Sequence, residues 1–305
     1  MNQRIFVTGA SGYIGGAIAA RLARKGHKMF GLTRSREHAK ALEGLGIIPV
    51  VGDLAAEQDW LGVLQNCDAA VHAAFDGDNG AADVDHAALE ALRLASLDGR
   101  VRRVLYTSGT WVHGHGDNGC ADERTPLAPL GVVQWRAAHE EIALDLAAHD
   151  VDVVILRPGM AYGEHRGMLC GWFAEAHDKH TVTYPGDGSQ HWSLVHREDL
   201  AEGYALAFEH GAAGERYLLA DESRFTVKEL AEAVAAVTGS KAVPWPAAEL
   251  VKALDGYGEA LLNDLSVSSA KARRELGWVP RHTSFVAEAG DLWREWQAGR
   301  ATPVR

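Results

Sequence analysis

Cysteine is scarce in this chain. Cys67, Cys120 and Cys170 are three residues standing far apart, too few and too dispersed for a disulfide framework or a zinc-type cluster. Long apolar runs are also missing: none reaches the roughly 18 residues needed to span a bilayer. No charged-then-apolar leader precedes the first strand-like run, so no signal peptide is expected. Basic residues fall short of acidic ones, 30 Lys and Arg against 41 Asp and Glu, for a net charge of −11. Nucleic acid and anionic membranes both select basic surface, so neither is an expected partner. A reduced, cytoplasmic setting is the simplest expectation. No internal repeat or low-complexity segment interrupts the chain.

What is present is an ordinary globular composition, 47% apolar and 23% charged over 305 residues, enough to bury a large core. The most informative stretch is Thr8-Gly-Ala-Ser-Gly-Tyr-Ile-Gly15. It follows the apolar run Ile5-Phe6-Val7 and leads into Ile14, Ile18 and Leu22, whose spacing forms one helical face. Gly9, Gly12 and Gly15 therefore sit where a strand turns tightly into a helix. There the backbone approaches a pyrophosphate closely, and the helix N-terminus offers it free N–H groups. This is a dinucleotide-binding turn.

Apolar strand-like runs at 4–8, 28–33, 47–51, 69–72, 101–107 and 151–156 alternate with helical patterns near 13–25, 36–43, 57–65, 84–97 and 133–149. Strands buried on both faces and separated by helices predict an α/β fold with a doubly wound parallel sheet. Beyond Arg157 the alternation loosens, and Gly, His, Trp and Pro become frequent between 159 and 193, as in loops over a ligand cleft. Further helices are expected at 226–238, with Thr226 as N-cap, and at 284–297, before a frayed tail from Ala298.

An NAD site usually carries an acid about 20 residues after the glycines, on the ribose 2′-hydroxyl. Nothing between Ile14 and Arg36 is acidic, and the second strand ends Gly31-Leu-Thr-Arg-Ser35 with Arg34 at that place. A guanidinium suits the 2′-phosphate of NADP, which an acid repels. The expected cofactor is NADP(H), in preference to NAD(H).

Together these motifs resemble the extended short-chain dehydrogenase/reductase group, the NAD-dependent epimerase/dehydratase family. Gly52-Asp53-Leu54 is similar to its adenine-contacting strand end, and Val71-His-Ala-Ala74 to its fourth-strand motif beside the cofactor. Val104-Leu-Tyr-Thr-Ser-Gly-Thr-Trp-Val-His-Gly114 resembles its fifth strand and active-site loop. Leu156-Arg-Pro-Gly-Met-Ala-Tyr-Gly163 resembles the segment passing the nicotinamide. Trp192-Ser-Leu-Val-His-Arg-Glu-Asp-Leu-Ala201 and Ser269-Ala-Lys-Ala-Arg-Arg-Glu-Leu-Gly-Trp278 match later landmarks. The resemblance implies a Rossmann domain at 1–158 plus 193–216 and a smaller C-terminal α/β substrate domain at 159–192 plus 217–305. It also implies a homodimer. The cofactor set it implies is Gly9, Ser11, Gly12, Tyr13, Ile14, Asp53, Leu54, Ala73, Ala74, Thr107, Arg136, Pro158, Gly159 and Met160, with Arg34 added by the argument above.

One part of the family pattern is absent: a tyrosine with a lysine four residues on. The seven tyrosines, at 13, 106, 162, 184, 204, 217 and 257, are followed at that spacing by Ala17, Thr110, Arg166, Gly188, Phe208, Asp221 and Leu261. One alignment register places Val132 at the tyrosine and Arg136 at the lysine; sliding by three places Trp135 and His139 there. Arg136 retains a cation for the nicotinamide ribose, but its guanidinium cannot release a proton at neutral pH. Ser108 or Thr110 is expected to orient the reacting oxygen, and His113, titrating near pH 6.5 when unperturbed, is a candidate proton donor. His113-Gly-His115 with Asp117 invites a metal reading, but no second cluster completes it and no metal is expected. Trp111, Trp135, Trp172 and Trp192, with the loop Tyr184–Trp192, fall on segments expected to face the cleft. Three readings remain. The first is an NADP(H)-dependent oxidoreductase on a small carbonyl, hydroxyl or conjugated compound with a non-standard proton donor. The second is a sugar-nucleotide epimerase or dehydratase, and the third is a non-catalytic NADP(H)-binding sensor.

Overall fold

The computed structural model describes residues 2–75, 80–116, 120–164 and 166–301. The first half alternates as the apolar runs predict. In order come β1 (Arg4–Thr8), α1 (Tyr13–Arg24), β2 (Lys28–Thr33), α2 (Arg36–Gly44), β3 (Ile48–Val51), α3 (Leu61–Leu64), β4 (Ala69–His72), α4 (Ala81–Leu97) and β5 (Arg103–Thr107). A short strand β6 (Cys120–Ala121), helix α5 (Arg136–Leu144) and β7 (Asp152–Pro158) follow. Then come β8 (Met160–Tyr162), α6 (Cys170–Lys179), β9 (Thr181–Pro185), β10 (Leu194–His196), α7 (Arg197–His210) and β11 (Arg216–Leu219). The chain closes with α8 (Val227–Thr238), β12 (Lys241–Trp245), α9 (Ala247–Leu261), β13 (Ser266–Val267), α10 (Ala270–Leu276) and α11 (Phe285–Ala301).

Seven strands form one sheet in the order β11-β7-β5-β4-β1-β2-β3, with every neighbouring pair parallel. Parallel strands need covered faces, and alternate side chains of each strand supply both cores. Ile5 and Val7 join one core with Leu22, Leu200, Phe208 and Trp278. Phe6 joins the other with Trp60, Leu92 and Tyr106. Chain order reverses between β1 and β4, so the loops leaving those strands diverge and open a crevice at their carboxyl ends.

The C-terminal unit is built on the parallel pairs β8–β10 and β9–β12. Its core gathers Phe173 of α6, Val182 of β9, Leu230 of α8 and Phe285 of α11. Thr226 caps α8 in a capping box with Glu229, as expected from its position. Two tryptophans expected at the cleft belong to this core: Trp172 and Trp192 stack at 5.8 Å and are almost wholly buried. The boundary expected after residue 216 falls within β11. Beyond it, Leu276 and Trp278 pack under the main sheet, where Trp278 Nε1 donates to the Asp199 carbonyl at 2.8 Å. α11 continues through Ala298 to Ala301 where a frayed tail was expected.

Candidate functional site

The β1–α1 turn is held by a Gly12 N–H to Gly9 carbonyl bond of 2.8 Å. Gly9 has φ 67°, and a Cβ there would lie 2.8 Å from the Ala73 carbonyl. Gly15 comes closer still, since its Cβ would meet the Gly9 carbonyl at 2.3 Å. The glycines thus let β1, α1 and the end of β4 converge. α1 starts from Gly12 with no side-chain cap and no acid in its first turn, leaving its first N–H groups to face the crevice. An uncapped helix start lined by backbone fits a diphosphate.

The crevice has a volume of about 320 Å³. Gly9, Ser11, Gly12, Tyr13 and Ile14 form one wall, Arg34 and Asp53-Leu54 the far end, and Ala73-Ala74-Phe75 the other side. Asp53 Oδ1 accepts the Ala55 N–H at 2.9 Å, which orders the strand-end turn. Every expected contact of the adenosine half therefore lies on one continuous surface, Arg34 included.

At its other end the crevice opens, through Tyr13, Ile14 and Phe75, into a second cavity of about 470 Å³. Ser108 and Thr110 line it at the carboxyl end of β5, Pro158, Gly159 and Met160 line it where β7 passes into β8, and Arg136 projects from the start of α5. Ser108 is 6% exposed and its Oγ has no hydrogen-bond partner among the described residues. Arg136 donates to the Thr107 carbonyl at 3.0 Å. Its guanidinium lies over Trp135 and Phe75, at 4.5 and 5.3 Å from the ring centroids. Of the two registers the first describes the cavity: Val132 and Arg136 line it, whereas Trp135 and His139 do not. Trp111, Val133, Met168 and Tyr257 complete a mostly apolar wall, in which Arg136 is the one cation among the described lining residues.

Two expected residues stand behind that wall. Thr107 faces neither cavity; its hydroxyl accepts a 2.8 Å bond from buried Tyr204, and its carbonyl anchors Arg136. His113, offered above as a proton donor, is 2% exposed and lies away from the cavity. Arg157 donates to its Nε2 at 3.2 Å, so the ring proton resides on Nδ1, which has no partner among the described residues. Burial, then Arg157, holds its pKa down at about 4. A neutral imidazole packed against an arginine is a core group. Asp117 lies outside the described residues. Tyr162 is packed, edge-on to His196 and Phe285. The Tyr184–Trp192 loop lines a separate surface groove with Pro244, Pro246 and Leu262.

Beneath the crevice lies a polar chain that the motifs did not reveal. Thr8 Oγ1 meets His72 Nδ1 at 2.8 Å, and His72 Nε2 meets Asp85 Oδ1 at 3.0 Å. Asp85 Oδ2 accepts from the Tyr106 hydroxyl at 2.8 Å and from His139 Nδ1 at 2.7 Å. Burial alone would raise the Asp85 pKa, yet the bonds from His139 and His72 carry it well below the usual carboxylate range. Thr8 Oγ1 also accepts from the N–H groups of Ala73 and Ala74. A charged, fully engaged carboxylate thus ties the diphosphate turn to α5, one turn beyond Arg136. Glu140 of α5 adds a buried two-point pair to Arg157 of β7, at 2.9 and 2.5 Å. The one available signal was spacing: His139 and Glu140 follow Arg136 by three and four residues, on its helical face.

The model of the NAD dependent epimerase/dehydratase family matches residues 5–220. An uncharacterized protein of Schizosaccharomyces pombe is 31% identical over 94% of this chain and 98% of its own length. A 4-hydroxy-2-methyl-3-oxo-4-farnesyl-3,4-dihydroquinoline-1-oxide ketoreductase of Stigmatella aurantiaca is 27% identical over 92% of this chain and 93% of its own. In fold, a double mutant of the dTDP-glucose 4,6-dehydratase of Streptomyces venezuelae, solved with NAD, aligns over 99% of this chain and 100% of its own, with a TM-score of 0.83 at 23% identity. No described helix is long and apolar enough to cross a membrane.

Proposed function

This chain belongs to that family, and we propose that within it the protein is an NADP(H)-dependent oxidoreductase that reduces the ketone of an apolar small molecule. The observation that carries this reading is the orphan Ser108 hydroxyl, buried in an apolar cavity that adjoins the dinucleotide crevice. A buried hydroxyl without a partner is costly unless something else fills the role, and a carbonyl oxygen does so. Arg34, at the adenosine end, supports the phosphorylated cofactor.

Each wall residue has a role in the proposal. Ser108 donates to the reacting oxygen, and Thr110 beside it shapes that corner. Arg136 holds the nicotinamide ribose, and its fixed positive charge stabilises the negative charge that develops on oxygen. Gly159 and Met160 pass the nicotinamide and leave room for the substrate. The bound reduced nicotinamide supplies the hydride. The nature of the wall favours an apolar ketone over a sugar nucleotide, whose diphosphate calls for more than one cation. The name of the Stigmatella relative, a ketoreductase for a farnesyl-bearing ring ketone, points the same way. The proposal includes a homodimer, for which light scattering would give twice the 32.8 kDa of one chain.

The direct test follows NADPH absorbance with ethyl acetoacetate, ethyl benzoylacetate, acetophenone and menadione, and separately follows dTDP-glucose and UDP-glucose, incubated with the oxidised nucleotides, by chromatography of the sugar product, because epimerisation and dehydration consume no net cofactor. NADPH consumption with at least one ketone, and no conversion of the sugar nucleotides, is expected. Conversion of a sugar nucleotide with no ketone reduced contradicts the proposal.

A further inference from the structure

α9 contains Asp255-Gly-Tyr-Gly258, a tyrosine between two glycines inside a helical run. Each interior glycine costs a helix about 1 kcal/mol relative to alanine, so this is where α9 gives way. The break is at Asp255, with φ 47° and ψ −134°. A non-glycine residue in that region is strained by roughly 1–3 kcal/mol and persists only where its surroundings impose it. Asp255 itself is exposed, and the close packing lies just beyond it. A Cβ on Gly258 would lie 2.8 Å from the Leu250 carbonyl, and one on Gly256 would touch Val132 Cγ1 at 3.4 Å.

That second contact matters because Val132 stands where the family's tyrosine is missing, four residues before Arg136. The kinked backbone of α9 rests against it, and the next residue is Tyr257, which lines the cavity together with Ser108 and Arg136. The Tyr257 ring meets Trp111 edge-on at 6.0 Å, and its hydroxyl donates to Met168 Sδ at 3.1 Å. A thioether is a weak acceptor, so a substrate oxygen displaces it at little cost. With 43% of the residue exposed, water reaches the phenol.

We propose that Tyr257 is the proton donor of the reduction, a phenol brought from the C-terminal unit to the place left empty by Val132. The assignment rests on the ketone-reductase reading above. The carbonyl carbon accepts hydride from reduced nicotinamide, and the carbonyl π pair moves to oxygen. The Oη–H bond of Tyr257 then breaks as its proton passes to that oxygen, giving the alcohol and a phenolate. Water returns a proton to the phenolate. Partial burial raises the Tyr257 pKa, so the phenol, already protonated at neutral pH, stays so between turnovers; an alkoxide is far more basic than a phenolate, so the transfer remains downhill.

The experiment uses the full chain with NADPH and the most rapidly reduced ketone of the panel above. Y257F is expected to lower kcat about 10²-fold, the usual scale for general-acid help, while NADPH affinity by calorimetry stays unchanged. Adding V132Y to Y257F, which restores a phenol from the other side, is expected to recover about tenfold of that loss. Y257F with wild-type kcat overturns the assignment. So does Y257F that loses NADPH binding in parallel with activity, since that marks a structural role. A wild-type chain that binds NADPH but reduces no ketone removes the reductase reading, and this assignment with it.

Discussion

Ser108 and Arg34 occupy opposite ends of one continuous surface, and single substitutions separate their contributions. Ser108→Ala removes the proposed donor to the developing oxyanion and is expected to lower kcat about 10²-fold on a reduced ketone, leaving NADPH affinity unchanged. Arg34→Asp acts at the other end. It is expected to weaken NADPH binding by at least about tenfold, the scale of one lost charge-assisted contact, and to leave NADH binding nearly unaltered; equal losses for both would refute the assignment. Protonation gives a third test. Burial first, with His282 and Arg197 next, holds His196 at about 3, and His113 stands at about 4. In the unfolded chain both imidazoles take up protons near pH 6.5. Below that pH the unfolded state therefore binds more protons and stability falls. Asp221 works in the opposite sense: burial raises it to about 6, so the fold keeps a proton that the unfolded chain releases. Two histidines outweigh one carboxyl, for a net loss of about 1 kcal/mol per pH unit between about pH 6 and 4. A Tm that falls from pH 7 to pH 5 is expected, and an unchanged or higher Tm at pH 5 would contradict it. Tyr257 shows what single residues conceal. Tested only for a lysine four places on, it fails; its placement depends on a kink and on Val132, 125 positions earlier in the chain.

At the scale of elements, the strands β1, β2, β4, β5 and β7 were legible because a parallel strand buried on both faces reads as an unbroken apolar run, and the edge strand β3 was legible from its Ile and Val alone, although Ile48 and Val51 are exposed. The glycine turn was legible because its spacing is dictated by backbone contact. Gly15→Ala tests that reason: the added methyl meets the Gly9 carbonyl at 2.3 Å, and Gly9 is itself wedged against Ala73. The clash outweighs the helix-propensity gain of about 1 kcal/mol. Weaker NADPH binding and a lower Tm are expected, whereas a higher Tm with full binding would show that the turn yields. α7 escaped the reading because it is buried around most of its circumference, through Leu200, Tyr204, Ala205 and Phe208, and only a narrow stripe of Glu198, Glu202 and Glu209 marks its period. β8 and β10, of three residues each, are too short to carry a pattern. Helix α5 was placed correctly, but the ties that fix it, Glu140 to Arg157 and His139 to Asp85, join residues 17 and 54 positions apart. Glu140→Ala leaves Arg157 buried and unpaired and is expected to cost about 3–5 kcal/mol, read from chemical denaturation. A loss under about 1 kcal/mol would contradict that role for the pair.

For the molecule as a whole, the sheet order places the β1 and β4 loops at a switch point, and the C-terminal unit supplies Met168 and Tyr257 to the cavity that opens beside it. Half of the candidate site was thus visible in local motifs, the half that backbone geometry builds. The other half comes from elements that meet only in the folded chain. Both halves depend on the nucleotide, so calorimetric titration of the purified chain with NADPH and then NADH bears most directly on the account. Saturable binding of NADPH, at least about tenfold tighter than NADH for the one added phosphate contact, is the predicted result. No heat with either nucleotide, or tighter binding of NADH, would contradict it.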